Sequence, residues 1–316
     1  YWRLPKGGSS KKSPSAHALV SRPKQEKMRS EKEMYELILS IAKNDDRIKA
    51  VIMNGSRANP KATPDIFQDY DIVYIVTEVA PFKNNPEWIK LFGEPIIVQK
   101  PDDMEDLPPS DDDSYGFLMQ FADGNRIDLT LYPIAKLNEL HEDSLSILLL
   151  DKDGILEPFP PPSEKDYLPK TPTAKEFSDS CNEFWWVSTY VAKGLWREEI
   201  TYAKSMLDQH VRPELMKMLA WYIGINTKFS CNPGKSGKYF KQYLEPELWG
   251  MLIATYADAD YDHTWESLDK MCQLFRIVSP SVAEHFGFEY LLDEDEKVCA
   301  HLKHVRALPK NAKEMY

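Results

Sequence analysis

The sequence predicts an α+β protein, with an N-terminal mixed-sheet domain followed by a C-terminal helical bundle. Strand-like apolar runs occur only in the first half of the 316-residue chain, and helical spacing of apolar residues dominates the second half. The proline-rich segment EPFPPPSEKDYLPKTP separates the two halves and follows no periodic pattern. We therefore expect a sheet domain over 28–157, a linker over 158–172 and a helical domain over 173–316.

The N-terminal domain should begin with a helix over 31–44. Ser30 and Glu33 match a capping box, in which each side chain satisfies a free backbone N–H of the other residue. The apolar run 48–54 and the segment 70–76 are typical of strands, and so is PIIVQ further along the chain. A short helix is expected over 86–92.

A hairpin should follow in YGFLMQFADGNRIDLTLY, because Asp123-Gly124 is a turn signal between two strand-like runs. A helical piece over 134–141 and the apolar run SILLL complete the domain. Paired strands with flanking helices are typical of α/β or α+β folds with a mixed sheet.

The second half should be entirely helical. Thr173 and Glu176 match a second capping box, and the helix that follows has an apolar face. That face carries Phe177, Cys181, Phe184, Trp185, Ser188, Val191 and Leu195. Trp196 and Trp221 are also expected in the core. Further helices are predicted over 197–209, 213–224, 246–256, 264–277 and 294–306.

Composition excludes several classes of function. The formal net charge of -11 disfavours a nucleic-acid partner, because a phosphate backbone requires a basic surface. No stretch approaches the ~20 apolar residues that cross a bilayer, so we expect no membrane partner. The four scattered cysteines indicate reduced thiols, and we expect a cytoplasmic monomer. Residues 1–27 are basic and rich in Ser, Gly and Pro, which indicates a disordered leader or tag.

The stretch NGSRANPKATPDIFQDYDIVYIV carries the candidate chemistry. Gly55 permits a sharp turn that leaves backbone N–H groups open to a ligand, and Ser56 adds a hydroxyl donor. Asp69 and Asp71, at i and i+2 of a strand, point to one side of the sheet. Carboxylates and phosphate oxygens are the ligands that Mg²⁺ prefers. The pattern therefore predicts a metal-nucleotide site.

Asp128 is a third carboxylate candidate, because it alternates with Ile127 and Leu129 and so faces away from them. If its strand lies beside 70–76, Asp128 joins Asp69 and Asp71. Three carboxylates around Mg²⁺ suit phosphoryl or nucleotidyl transfer. The alternative is that Asp69 and Asp71 merely cap a strand and that Asp128 is exposed in a hairpin.

The spacing Gly-Ser, twelve residues, Asp-x-Asp and a later strand Asp resembles the signature of the DNA polymerase β-like nucleotidyltransferase superfamily. Longer blocks resemble the aminoglycoside 6-adenylyltransferases, the streptomycin-modifying enzymes, from about Met28 to the C-terminus. These blocks are AVIMNGSRANP, FQDYDIVYIV, FADGNRIDLTL, EFWWVSTYVAKGLWREE and GKSGKYFKQYL.

The resemblance implies transfer of AMP from Mg-ATP to the 6-hydroxyl of streptomycin, with release of pyrophosphate. Gly55 and Ser56 would hold the triphosphate, and Arg57 would add positive charge. Asp69 and Asp71 would bind Mg²⁺. Asp128 would be the third metal ligand, the base, or both.

A polar stripe on the first helix of the second half should complete the site. It comprises Asp179, Asn182, Trp186, Tyr190, Lys193 and Arg197. Lys193 resembles the helix lysine that contacts nucleotide phosphates in related enzymes. Streptomycin carries two guanidinium groups, which makes Asp179, Asn182 and Trp186 candidate substrate contacts. The alternative is that this stripe packs against the other domain.

Two other functions fit the same fold. The acceptor hydroxyl can belong to another aminoglycoside, a protein or an RNA, although the acidic charge argues against RNA. A non-catalytic nucleotide-binding relative is the third possibility, and in that class we expect one of the three aspartates to be missing.

Overall fold

The computed structural model describes residues 27–105, 113–140 and 143–316. The chain divides into two compact units, Tyr1–Ser163 and Glu164–Tyr316, called here the sheet unit and the helical unit. The division falls inside the segment expected to be a linker. The expected leader lies outside the described residues except for Lys27.

The α+β class is confirmed. Among the described residues, none of the helices is long and apolar enough to cross a membrane.

The sheet unit is built on a mixed six-stranded sheet in the order β3-β4-β5-β2-β1-β6. The strands are β1 (Ile48–Asn54), β2 (Tyr70–Val76), β3 (Pro95–Gln99), β4 (Tyr115–Phe121), β5 (Arg126–Pro133) and β6 (Ser146–Asp151). β2 and β5 pair in parallel, and the other neighbours are antiparallel. The predicted hairpin is therefore confirmed, and the strand of Asp128 lies beside that of Asp71.

Helix α1 (Glu31–Asn44) covers one face of the sheet. The Ser30 and Glu33 capping box starts it as predicted, and Met34, Ile38 and Ala42 are buried at helical spacing. Side chains alternate across each strand, so the opposite face carries a smaller apolar cluster and the polar ends of β2 and β5. Those polar ends lie on the face away from α1.

Two of the helices predicted in this unit are 3₁₀ helices. Residues Pro86–Phe92 and Ile134–Glu139 have 3₁₀ geometry, and α2 is the short helix Ala80–Asn84. Each segment is only five to seven residues long. So short a helix gains little from α-helical hydrogen bonds, and the tighter 3₁₀ form is common in such connectors.

The helical unit contains only helices and loops within the described residues. Its α-helices are α3 (Ala174–Trp196), α4 (Ile200–Met206), α5 (Arg212–Asn226), α6 (Phe240–Tyr243), α7 (Pro246–Ile253), α8 (Tyr261–Phe286) and α9 (Leu292–Ala307). The Thr173 and Glu176 capping box of α3 is confirmed, and its apolar face is buried apart from the partly exposed Cys181. Trp221 is buried, and Trp196 is half-buried with its Nε1–H donated to the Leu308 carbonyl.

Helix α8 is longer than the predicted 264–277. The Asp260 side chain caps its first turn, and Gly287 ends it in the left-handed conformation. The helix also continues through Pro280.

A buried ion pair ties the start of α1 to the β4–β5 hairpin. Arg29 Nε lies 2.6 Å from Asp123 Oδ2, and the Asp123 side chain is 3% exposed. The Asn125 side chain also donates to that carboxylate. Although burial raises the pKa of Asp123, the hydrogen bonds from Arg29 and Asn125 outweigh it and hold this pKa well below its usual range.

We expect Asp123→Asn to lower the free energy of unfolding by about 1–3 kcal/mol at pH 7, because the Arg29 charge loses its partner. A depressed carboxyl pKa adds stability above about pH 4, and this contribution is lost as the pH falls. The difference in unfolding free energy between variant and parent should therefore be smaller at pH 3 than at pH 7. Urea unfolding at both pH values measures this difference, with exposed Asp46→Asn as the control. A pH-independent gap would contradict the ionic origin.

Candidate active site

A tight turn begins the candidate site at the end of β1. Gly55–Arg57 forms a single 3₁₀ turn, and Gly55 has a φ of +75°, a conformation that side chains disfavour. The Gly55 N–H donates to the Leu145 carbonyl at 3.0 Å. This N–H is therefore used within the protein, contrary to the expectation that the Gly55 amide is open to a ligand.

The same glycine lies against the Asp71 carboxylate. A Cβ built on Gly55 would lie 2.2 Å from Asp71 Oδ2, closer than real Cβ atoms approach a neighbour, and 3.1 Å from Cγ. The absence of a side chain at residue 55 is thus what lets the turn and the carboxylate meet. The Gly-Ser turn and the Asp-x-Asp strand, which are separate parts of the sequence motif, are therefore in direct contact.

Polar side chains form a row across the ends of four strands. Asn54 pairs in register with Asp71, and Asp71 pairs in register with Asp128. Ser146 on β6 donates its hydroxyl to Asn54 Oδ1 at 2.8 Å. Since Asp69 precedes Asp71 by two residues, the three predicted aspartates share one end and one face of the sheet.

Arg126 is the cation of this row, and the sequence reasoning missed it. Its Nε donates to Asp128 Oδ1 at 2.7 Å and its Nη2 to Asp128 Oδ2 at 2.6 Å. Arg126 Nε also lies 3.6 Å from Asp69 Oδ2. A signal was present, because residues 126 and 128 of one strand necessarily face the same way.

Burial and like charge shape the titration of the site. The pKa of Asp71 is raised to about 6, first by burial and then by the neighbouring Asp128 and Asp69 carboxylates. The pKa of Asp69 is also raised, again mainly by burial, with Arg126 opposing the shift. Burial and like charge make the ionised carboxylates unfavourable, so a cation placed beside them would stabilise them.

The carboxylates suit a divalent cation but are not gathered around one. Among the described residues, no three His, Cys, Asp or Glu side chains are already placed to hold a metal ion. Asp71 nevertheless offers a desolvated hard oxygen donor with Asp128 in register beside it. The donor chemistry therefore fits Mg²⁺, which would compete with Arg126 for Asp128 and Asp69.

Arg57 supports the loop that carries Asp69. Its Nε and Nη2 donate to the carbonyls of Asp69 and Gln68 at 3.1 and 2.9 Å. The guanidinium carbon lies 3.8 Å from the centroid of the Tyr70 ring. In this arrangement Arg57 fixes the approach to β2, and its contact with nucleotide stays a prediction.

The predicted stripe on α3 lies on the solvent-facing side of that helix within its own unit. Trp186 is 58% exposed and donates its indole N–H to the Tyr190 hydroxyl at 2.9 Å. Lys193 Nζ lies 4.6 Å from the centroid of the same Tyr190 ring. Asp179 forms an ion pair with Lys175, and Asn182 is exposed. The ligand contacts of Asp179, Asn182, Trp186 and Lys193 stay predictions.

A cavity of about 350 Å³ opens beside Lys193 in the helical unit. Tyr190 and Trp196 form aromatic walls, and Lys193 and Arg197 contribute positive charge. The rest of the lining comprises Thr189, His301, Val305, Leu308, Ala312, Lys313, Glu314 and Met315. Cationic and aromatic groups together suit a planar anion.

Comparisons with known proteins agree on one family. Residues 28–305 match the family model described as streptomycin adenylyltransferase. The chain is 44% identical over 273 residues to an aminoglycoside 6-adenylyltransferase of Bacillus subtilis, covering 86% of this chain and 96% of the relative. It is 45% identical over 272 residues to one of Campylobacter jejuni, covering 86% and 94%.

A crystal structure of an aminoglycoside 6-adenyltransferase from Bacillus subtilis is also similar. Its sequence is 40% identical, and the comparison covers 89% of this chain and 100% of that chain with a TM-score of 0.44.

Gly55→Ala should displace the Asp71 carboxylate, because the new methyl group and Oδ2 would overlap. We expect it to be about 1–3 kcal/mol less stable than Gly154→Ala, and to bind Mg-ATP at least about tenfold more weakly than the parent. Gly154 is the matched control, because its φ is +64° but nothing lies within 4 Å of its Cβ position. Calorimetric ATP binding and urea unfolding measure both effects. If Gly55→Ala and Gly154→Ala have the same stability and the same ATP affinity, the close contact between residue 55 and Asp71 is refuted.

Asp71→Asn should stabilise the metal-free protein. A raised carboxyl pKa costs stability that builds up as the pH rises from the ordinary value of about 4 to the folded-state value of about 6, and the neutral amide removes that cost. We expect a gain of about 1–3 kcal/mol at pH 7.5 that disappears near pH 4. Urea unfolding in the presence of a chelator tests this, with Asp46→Asn as the control. A loss of stability at pH 7.5 would contradict the charge repulsion.

Proposed function

The chain belongs to the streptomycin adenylyltransferase family, and from this premise we propose that it adenylylates the 6-hydroxyl of streptomycin with ATP and Mg²⁺. The observation that carries the proposal is the in-register pair of Asp71 and Asp128 beside the Gly55 turn. We further propose a cytoplasmic monomer. The four free cysteines support a reducing compartment.

The proposed reaction is a displacement at the α-phosphorus of ATP. The streptomycin oxygen forms a bond to this phosphorus, the bond to the bridging oxygen breaks, and pyrophosphate leaves with the electron pair. The hydroxyl proton must go to a base. In-line transfer depends mainly on positioning and charge neutralisation, which side chains on rigid strands supply well.

Asp128 is the proposed base. Arg126 occupies one position on each of its two oxygens, and an ionised carboxylate has about four acceptor positions. A free position therefore remains for the hydroxyl proton. The bidentate hold of Arg126 also fixes the orientation of this carboxylate, because both partners are planar.

Asp71, Asp69 and Asp128 are the residues proposed to hold Mg²⁺. When bound, the ion would neutralise charge on the transferred and leaving phosphates. The raised pKa of Asp71 supports this assignment, because the site holds its negative charge at an energetic cost. Arg126 would stay close enough to balance the remaining carboxylate charge.

Nucleotide contacts are proposed for each unit by itself. In the sheet unit, the Ser56 hydroxyl and the turn that contains Gly55 are proposed to receive the triphosphate. In the helical unit, Lys193 is the proposed phosphate contact, and the cavity beside it has the positive and aromatic lining that a nucleotide requires. Arg57 would contribute charge from behind the turn.

The acceptor is assigned to the exposed face of α3. The two guanidinium groups of streptomycin suit the Asp179 carboxylate and the exposed Trp186 ring, and Asn182 lies between them on the helix. Because Asp179 is paired with Lys175, a drug guanidinium would have to displace that lysine. An exposed pair of this kind contributes little stability, so its displacement costs little.

Another acceptor is the second candidate function. The same phosphate chemistry serves any hydroxyl, and the side chains proposed to contact the acceptor are exposed. A non-catalytic relative is less well supported, because all three aspartates are present and share one end of the sheet.

Pyrophosphate release from Mg-ATP tests the proposal, with streptomycin, kanamycin and spectinomycin offered separately. We expect release with streptomycin only, and a drug product heavier by one adenylyl group. Asp71→Asn should lower kcat by at least about 100-fold, whereas exposed Asp46→Asn should leave it unchanged. Release with another drug would reassign the acceptor. ATP binding without release for any drug would favour the non-catalytic relative.

A further inference from the structure

A small cavity between α8 and α9 contains two cysteines that the proposed reaction does not use. The cavity measures about 130 Å³, and Cys272 of α8 and Cys299 of α9 both line it. Cys272 is buried, and Cys299 is partly exposed. Asp269, Gln273, Arg276, Leu302 and Lys303 complete the lining.

Charged side chains flank Cys299 on both helices. Arg276, one helical turn after Cys272, donates from Nη2 to Cys299 Sγ, and the two atoms are 2.8 Å apart. Asp295, one turn before Cys299, accepts from the Cys299 thiol at 3.3 Å. Arg276 and Asp295 are themselves paired, and the Tyr290 hydroxyl donates to Asp295 at 2.9 Å. Arg276 Nη2 therefore donates both to the Asp295 carboxylate and to Cys299 Sγ, so this guanidinium group is shared between the two.

The two thiols line the same cavity, and their pKa values shift in opposite directions. The neighbouring Cys272 thiol and the Arg276 guanidinium lower the pKa of Cys299, against the opposing effects of burial and Asp295. The pKa of Cys272 is raised, by the neighbouring Cys299 thiol and by burial. Asp269 and Lys303, one on each helix, are the other charged groups that line the cavity. One sulfur is therefore suited to act as a nucleophile, and the other is a neutral thiol beside it.

We propose that Cys299 and Cys272 form a peroxide-sensitive redox pair, in which Cys299 reacts first and Cys272 resolves the product to a disulfide between α8 and α9. The Cys299 thiolate attacks one oxygen of hydrogen peroxide, the O–O bond breaks, and hydroxide leaves, which gives a sulfenic acid. The Cys272 sulfur then attacks the Cys299 sulfur. Water leaves with the Cys272 proton, and the disulfide forms. Two thiols are oxidised and one peroxide is reduced to two waters.

The other cysteines provide an internal comparison. Burial, with help from Glu214 and Glu294, raises the pKa of Cys181 to about 12, so this thiol should react slowly. Cys231 lies next to Ser230, outside the α8–α9 cavity. Selective oxidation of the pair would therefore reflect its surroundings rather than general thiol reactivity. The pair lies within the helical unit and does not depend on the proposed function.

Peroxide titration of the full chain tests this pair. We expect about one equivalent of hydrogen peroxide to lower the intact mass by two hydrogens. Non-reducing peptide mapping should then show Cys272 joined to Cys299, and dithiothreitol should reverse the change.

Cys181→Ser should leave the reaction unchanged. In Cys272→Ala, the Cys299 sulfenic acid should persist and be trapped by dimedone. Cys299→Ser should slow peroxide consumption at least about tenfold.

Far-UV circular dichroism checks that each variant is folded. Cys272→Ser serves as a second variant, because the hole left by alanine in this buried position can itself destabilise the fold. Oxidation spread evenly over the four cysteines would overturn the proposal. So would a dimedone adduct on Cys299 in the unsubstituted chain without any disulfide, because Cys272 would then not be the resolving thiol.

Discussion

The structure of the candidate site depends on one electrostatic constraint, the repulsion among three carboxylates at one end of a sheet. Asp71 and Asp128 are in register on neighbouring parallel strands, and Asp69 precedes the same strand as Asp71. Burial of the Asp71 carboxylate raises its pKa to about 6, and the neighbouring Asp128 and Asp69 carboxylates add to this shift. Arg126 relieves part of it by binding Asp128 and approaching Asp69.

The backbone geometry around these carboxylates follows from the same constraint. Gly55 lies close enough to Asp71 that a side chain would overlap its oxygen, and the Gly55 amide is fixed by the Leu145 carbonyl. Arg57 holds the carbonyls that lead into Asp69. Each contact limits movement of one part of the site, so a ligand would meet side chains that are already oriented.

One face of the sheet carries most of the apolar core, and the other face carries the candidate site. The face under α1 buries a large apolar cluster, and the opposite face carries the carboxylates beside a smaller one. Replacing a carboxylate therefore leaves the main core intact. The helical unit has its own core, and the exposed face of α3 lies outside it. The Cys272 and Cys299 pair lies between α8 and α9, and the proposed adenylyl transfer does not use it.

Local patterns in the sequence determined most elements of this protein. Capping boxes began α1 and α3 at the predicted residues, and strand alternation identified the side of β2 and β5 that carries Asp71 and Asp128, because these signals act over a few neighbouring residues. Only the tertiary structure decided which strands are adjacent, and hence that Arg126 binds Asp128 and that Gly55 meets Asp71. The occupation of the Gly55 amide by Leu145 and the meeting of Cys272 with Cys299 also join residues far apart in the chain. Such contacts depend on how strands and helices pack, and no local pattern encodes that packing.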